Sequence, residues 1–182
     1  MIHLKNLDYV PKDATQLLLK ARTLTSKMDI TVRDMRVSKR YLEFDVSIKK
    51  EELDDLIKIL EPIGLLDHAK HVVDEVFEKE IAIEKGRDYF NYERFWECHE
   101  ILEGVWKKSA GTEKELLNGI ILVAAALVHY QKDENEICLS IFQRALEKIG
   151  NTTGKYHKID IDTLRNKVST MIRTGVIKSF TI

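Results

Sequence analysis

His99 and Glu103 stand four residues apart in the stretch FWECHEILEGVW, residues 95–106, between Trp96 and Trp106. On a helix that spacing brings the imidazole and the carboxylate within reach of each other. Two chemistries are open to them. The pair can supply two ligands to a divalent metal ion, with His129 on a later helix as the third and Glu100 as a further ligand or a base. Alternatively, Glu103 can hold His99 in one tautomer so that the imidazole acts as a general base. No Gly-rich phosphate loop and no G-x-S-x-G accompany the pair. The Glu-x-x-His motif of carboxylate-bridged di-iron bundles is absent from this helix. Cys98 is a poor nucleophile for His99, because adjacent helical residues diverge by about 100°. The plain alternative is a satisfied polar pair at a helix–helix contact, with the tryptophans as packing. Trp96, His99, Glu100, Glu103 and Trp106 therefore define the candidate pocket.

The helix that carries these residues is expected over residues 92–109, with Asn91 as its N-cap. At 100° per residue, Phe95, His99, Leu102 and Trp106 share one stripe. More helices surround it. The segment DEVFEKEIAIEKGRDYF, residues 74–90, reads as one, although Gly86 weakens its later turns. Residues 113–132 hold the run GIILVAAALV, too short to cross a membrane and apolar enough to be buried on nearly every side. Residues 136–150 and 160–174 complete five helices, and NTTGKYHK, residues 151–158, reads as a polar loop.

The first third differs. MIHLKNLDYV is a short β-like segment. Ala14, Leu17, Leu18, Ala21 and Leu24 mark one face of a helix that Asp13 is placed to cap. DITVRDMRV is rich in β-branched residues. In YLEFDVSI, Leu42, Phe44, Val46 and Ile48 alternate with Tyr41, Glu43, Asp45 and Ser47. Leu53, Leu56, Ile57 and Leu60 form a second helical face that ends near Pro62 and Gly64. Residues 65–73 read equally as a last strand or the start of the next helix. The order β-α-β-β-α-β is that of a ferredoxin-like split βαβ sandwich. The fold class is thus α+β, with a ferredoxin-like domain over residues 1–72 and an all-α five-helix array over residues 73–182.

Composition narrows the function classes. The 182 residues are 44% hydrophobic and 32% charged, with 29 basic and 30 acidic side chains. A near-zero net charge provides no global field for nucleic acid. Tyr41 and Phe44 alternate to opposite faces of their strand, so the sheet lacks a stacking platform for RNA. Cys98 and Cys138 form no CxxC pair and suit two buried thiols in a cytoplasmic protein. The opening residues lack the pattern of a signal peptide.

The window FNYERFWECHEILEGVW resembles the signature of a bacterial and archaeal family called domain of unknown function 309. Phe90, Asn91, Phe95, Trp96, Glu97, His99, Glu100, Leu102, Glu103 and Trp106 fit that pattern in register. Gly119, Ala124, His129 and Tyr130 match its second block, and IFQRALEKI resembles its third helix. Glu93 departs from it where the family often has Gly, and Asn118 and Leu122 where it often has Gln. The resemblance spans about residues 75–150 and implies a compact helical array with a site at the His and Glu positions. It assigns no reaction, so enzymatic activity stays open.

The leading expectation is a cytoplasmic binding or regulatory module with a small ligand in a polar pocket around His99 and Glu103. Its rival is a metal-dependent hydrolase that uses His99, Glu103 and His129 with a divalent metal ion as cofactor. Nucleic-acid binding through the N-terminal sheet ranks third. No membrane partner is expected, and a homo-oligomer is compatible with the reading.

Overall fold

The computed structural model describes residues 1–73 and 77–182, which fall into two compact units. The first holds Met1–Val73 together with Gln131–Asp133; the second holds the described residues of the helical part.

The N-terminal unit runs β1 (Ile2–Lys5), α1 (Ala14–Leu24), β2 (Thr31–Val37), β3 (Tyr41–Ser47), α2 (Leu53–Leu60) and β4 (Leu66–Ala69). The strands form one sheet in the order β2-β3-β1-β4, and every neighbouring pair is antiparallel. Residues 65–73, ambiguous in sequence, thus contain a strand at one sheet edge.

Alternation along β3 buries Leu42, Phe44 and Val46 in a core shared with Leu17 and Ala21 of α1 and Leu56 and Leu60 of α2. In β2, Val32 and Met35 are both in that core although they stand three positions apart, an odd offset that would put them on opposite faces of a regular strand. A register shift between Val32 and Asp34 accounts for this, because an extra residue in a strand reverses the inward–outward parity of the residues after it. Asp13 does not cap α1 with its side chain; its carboxylate accepts from Val10 N at 2.8 Å and closes the short 3-10 turn before the helix.

The helical unit contains α3 (Lys79–Asn91), α4 (Phe95–Trp106), α5 (Gly111–Tyr130), α6 (Asn135–Ile149) and α7 (Ile161–Thr174). Residues 74–76, with which the first of these helices was expected to begin, lie outside the described residues. The loop expected at residues 151–158 contains one arm of a hairpin, β5 (Lys155–Tyr156) against β6 (Ile159–Asp160). His157 and Lys158 turn it with positive φ, a backbone state that sequence patterns assign to Gly or Asn. Asp160 then caps α7, accepting from Thr163 N at 2.8 Å.

Two glycines set the helix spacing around α4. A Cβ at Gly86 would come within 2.7 Å of Leu102 Cδ2, so α3 and α4 approach closely there. A Cβ at Gly119 would lie 2.6 Å from Ile149 Cγ1, which draws α5 against α6. The nearly all-apolar α5 fills the core of this unit with Leu117, Ile120, Ala124 and Leu127. Among the described residues, no helix is long and apolar enough to cross a membrane.

Candidate functional site

α4 begins at Phe95, three residues later than its sequence pattern suggests, because residues 92–94 form a corner after α3. Tyr92 N donates to Asp88 O at 3.0 Å and Arg94 N to Tyr89 O at 2.9 Å. Glu93 adopts φ of +61° at this corner. Asn91 is therefore the last residue of α3 and not the N-cap of α4, a position that Arg94 takes.

The buried face of α4 is Phe95, Cys98, Leu102 and Val105, spaced i, i+3, i+7 and i+10. Cys98 takes the inward position expected for His99, since a thiol packs as a small hydrophobe. Burial pushes the Cys98 thiol well above its ordinary pKa, so it is not a thiolate nucleophile. Burial likewise pushes the Cys138 thiol up, to about 12. Both cysteines are free. Glu97 is buried as well, and the Arg94 guanidinium donates to both of its carboxylate oxygens. That fork-to-fork ion pair fixes the first turn of the helix.

His99 sits at the edge of this face with its side chain 30% exposed. Its Nδ1 lies 3.1 Å from Glu100 Oε1, so its hydrogen-bond partner is Glu100 and not Glu103. Glu103 pairs with Lys107 Nζ at 3.4 Å, one helical turn on. The expected pair nevertheless belongs to one group: a ligand atom from each of His99, Glu100 and Glu103 lies within 4.8 Å of the other two. His129 is elsewhere. At the end of α5, its Nδ1 bonds the Glu134 carboxylate, and it is outside that group. Trp96 is half-buried. Trp106 packs on the helical core, with its Nε1 buried and Lys114 Nζ 4.6 Å from the centre of its ring.

Taken together, α4 presents an imidazole and two carboxylates on a surface that water reaches. Such a set can hold a hard or borderline divalent cation while leaving coordination positions to solvent. Residues 83–141 match the family model described as Domain of unknown function (DUF309). The DUF309 segment runs from within α3 to within α6 and contains all of α4 and α5. The family resemblance seen in the signature window thus holds over residues 83–141, within the helical C-terminal part. No curated protein matches the chain.

A second polar constellation lies outside the DUF309 segment, and no local sequence motif marks it. The strand register aligns Arg36 with Glu43, Glu43 with His3, and His3 with His68, a row that crosses all four strands. Arg36 Nη1 donates to Glu43 Oε1 at 2.5 Å, and His3 Nε2 lies 3.0 Å from Glu43 Oε2. The two imidazoles stack at 4.2 Å between centroids, and Tyr41 meets both edge-on. His3, Arg36 and Glu43 are buried. For His3, Arg36 and Glu43 the available signal was parity alone, since each alternates with core residues in its strand, whereas His68 stands between exposed Asp67 and Ala69 and carries no such signal. Their adjacency depends on strand order and register, which parity does not supply.

Proposed function

We propose that the protein is a binding or regulatory module whose ligand site is the polar face of α4, and that the ligand is a divalent cation. The observation that carries this reading is the mutual proximity, within 4.8 Å, of ligand atoms from His99, Glu100 and Glu103. Three protein ligands at about 2.0–2.2 Å, completed by water, are the minimum for such an ion. The rival, a metal-dependent hydrolase that recruits His129, draws less support, because Glu134 already engages that imidazole. Base stacking on the sheet draws none: Phe44 is inside the core, and Tyr41 is engaged with His3 and His68.

The test is calorimetric titration of untagged protein with zinc and with manganese, beside thermal melts. Binding should disappear in H99A and weaken in E103Q, with both apo variants folded, and it should weaken in acid because an imidazole must be neutral to ligate. A metal-free protein that melts at the same temperature with and without either ion would sink this reading.

We infer further that residues 1–72 are a ferredoxin-like split βαβ domain and residues 73–182 a five-helix domain. Support comes from the strand order β2-β3-β1-β4 with every neighbour antiparallel, and from separate hydrophobic cores in the two parts. Two free buried cysteines favour a cytoplasmic location.

A further inference from the structure

The corner between α3 and α4 grips a stretch of the chain distant in sequence. Asn91 Oδ1 accepts from Ile182 N at 2.8 Å, and Asn91 Nδ2 donates to Ile182 O at 3.1 Å. One carboxamide thus reads both backbone groups of a single residue, as a neighbouring β-strand would. Ser179 Oγ donates to Glu93 Oε1 at 2.5 Å. The Phe180 ring meets Phe90 edge-to-face at 5.3 Å between centroids. On the other side, Lys167 Nζ donates to Thr181 O at 3.1 Å and lies 5.0 Å from the centre of the Phe180 ring. These are the contacts of a peptide-recognition site: a backbone clamp, an aromatic seat and a hydroxyl acceptor.

Two backbone features fit that use. Glu93 holds φ of +61°, a strained state for a residue with a side chain, yet its carboxylate is what receives Ser179. Gly175, with φ of +70°, ends α7 in the left-handed cap conformation, and the chain leaves the helix there, with Ile177 in the helical core, to deliver residues 179–182 to the corner.

We propose that the α3–α4 corner is a recognition site for an extended peptide segment, and that residues 179–182 of a second copy of this chain are its ligand in trans. The chemistry it reads is a hydroxyl for Glu93, an aromatic ring for Phe90 one residue later, and a backbone N–H and C=O pair for Asn91 two residues beyond that. A second copy carries that segment by identity. The contacts are the same within one chain as between two, so exchange costs association entropy and not contact energy.

A labelled peptide of residues 176–182 and full-length variants test this. Phe180→Ala loosens the resident segment, and the peptide should then bind saturably; adding Asn91→Leu should weaken that binding by about tenfold or more. Full-length N91L keeps the segment but lacks the clamp, and F180A keeps the clamp but lacks the aromatic. Mixed above the peptide's measured Kd, they should sediment as a heterodimer that neither forms alone. A folded F180A chain that takes up no peptide at about 1 mM overturns the proposal. So does a mixture that stays monomeric above that Kd. The wild-type chain provides a check without mutation. The Ile182 amide should be protected from hydrogen exchange yet open at lower free energy than the amides of α3 and α7. Exchange only through global unfolding, or no protection at all, equally overturns it.

Discussion

Phe44 of β3 is fully buried, and its strand partners are Ile2 of β1 and Met35 of β2, both in the same core. Phe44→Ala removes a ring from the centre of the sheet's apolar face. A buried Phe hides roughly 150–250 Å², which at about 25 cal/mol per Å² is about 4–6 kcal/mol. Alanine retains part of that area, and the site relaxes in part, so the expected loss is about 3–5 kcal/mol. Both tryptophans, Trp96 and Trp106, lie in the helical unit, so their fluorescence does not report on the sheet. The suitable assay is native-state hydrogen exchange of the β1 and β3 amides, with urea unfolding followed by circular dichroism beside it. The sheet amides should lose several kcal/mol of protection in F44A. Y41A, on the opposite face of the same strand, should lose less. If F44A costs under about 1 kcal/mol, or less than Y41A, β3 does not face the core in this register.

Three further outcomes rest on particular contacts. Residues 73–182 expressed alone should be soluble and cooperatively folded, since their helices share a core of their own; solubility only with residues 1–72 attached would show one integrated domain. Gly119→Ala should destabilise the chain by about 1–3 kcal/mol despite the better helix propensity of Ala, because Ile149 N and Ala145 O, 3.0 and 3.1 Å from the added Cβ, are backbone and cannot step aside; a raised Tm would contradict this. Lys79, 2.5 Å from Glu113, and then the Tyr156 hydroxyl hold the Glu113 carboxyl below its usual range. Its stabilising contribution is therefore present above the unfolded carboxylate pKa, about 4.3, and is lost as pH falls through the lower folded value. A carbon-detected NMR titration should show the Glu113 midpoint rise in K79M, and an unmoved midpoint would remove Lys79 as the cause.

Periodicity in the chain determined most of the elements by itself. The period-two pattern of residues 41–48 and the faces of α1 and α2 reflect side chains that must reach one core, and that requirement is local enough to read in order. The signature from Phe90 to Trp106 likewise marked the DUF309 segment, because its aromatic and acidic residues recur at fixed helical offsets. Tertiary structure decided what those residues meet. His99 and Glu103 were legible as neighbours, but Glu100 as the partner of His99 depended on which face of α4 turned inward, and a one-residue shift put Cys98 there. His129 was placed by a turn, since Glu134 becomes its neighbour only where α5 ends and α6 begins. The row from Arg36 to His68 required four strands in the order β2-β3-β1-β4 with a register shift in β2, none of which alternation encodes. The clamp of Asn91 on Ile182 joins residues 91 positions apart in the chain. A contact of that kind comes from the path of the folded backbone, and a local pattern of hydrophobicity carries no record of it.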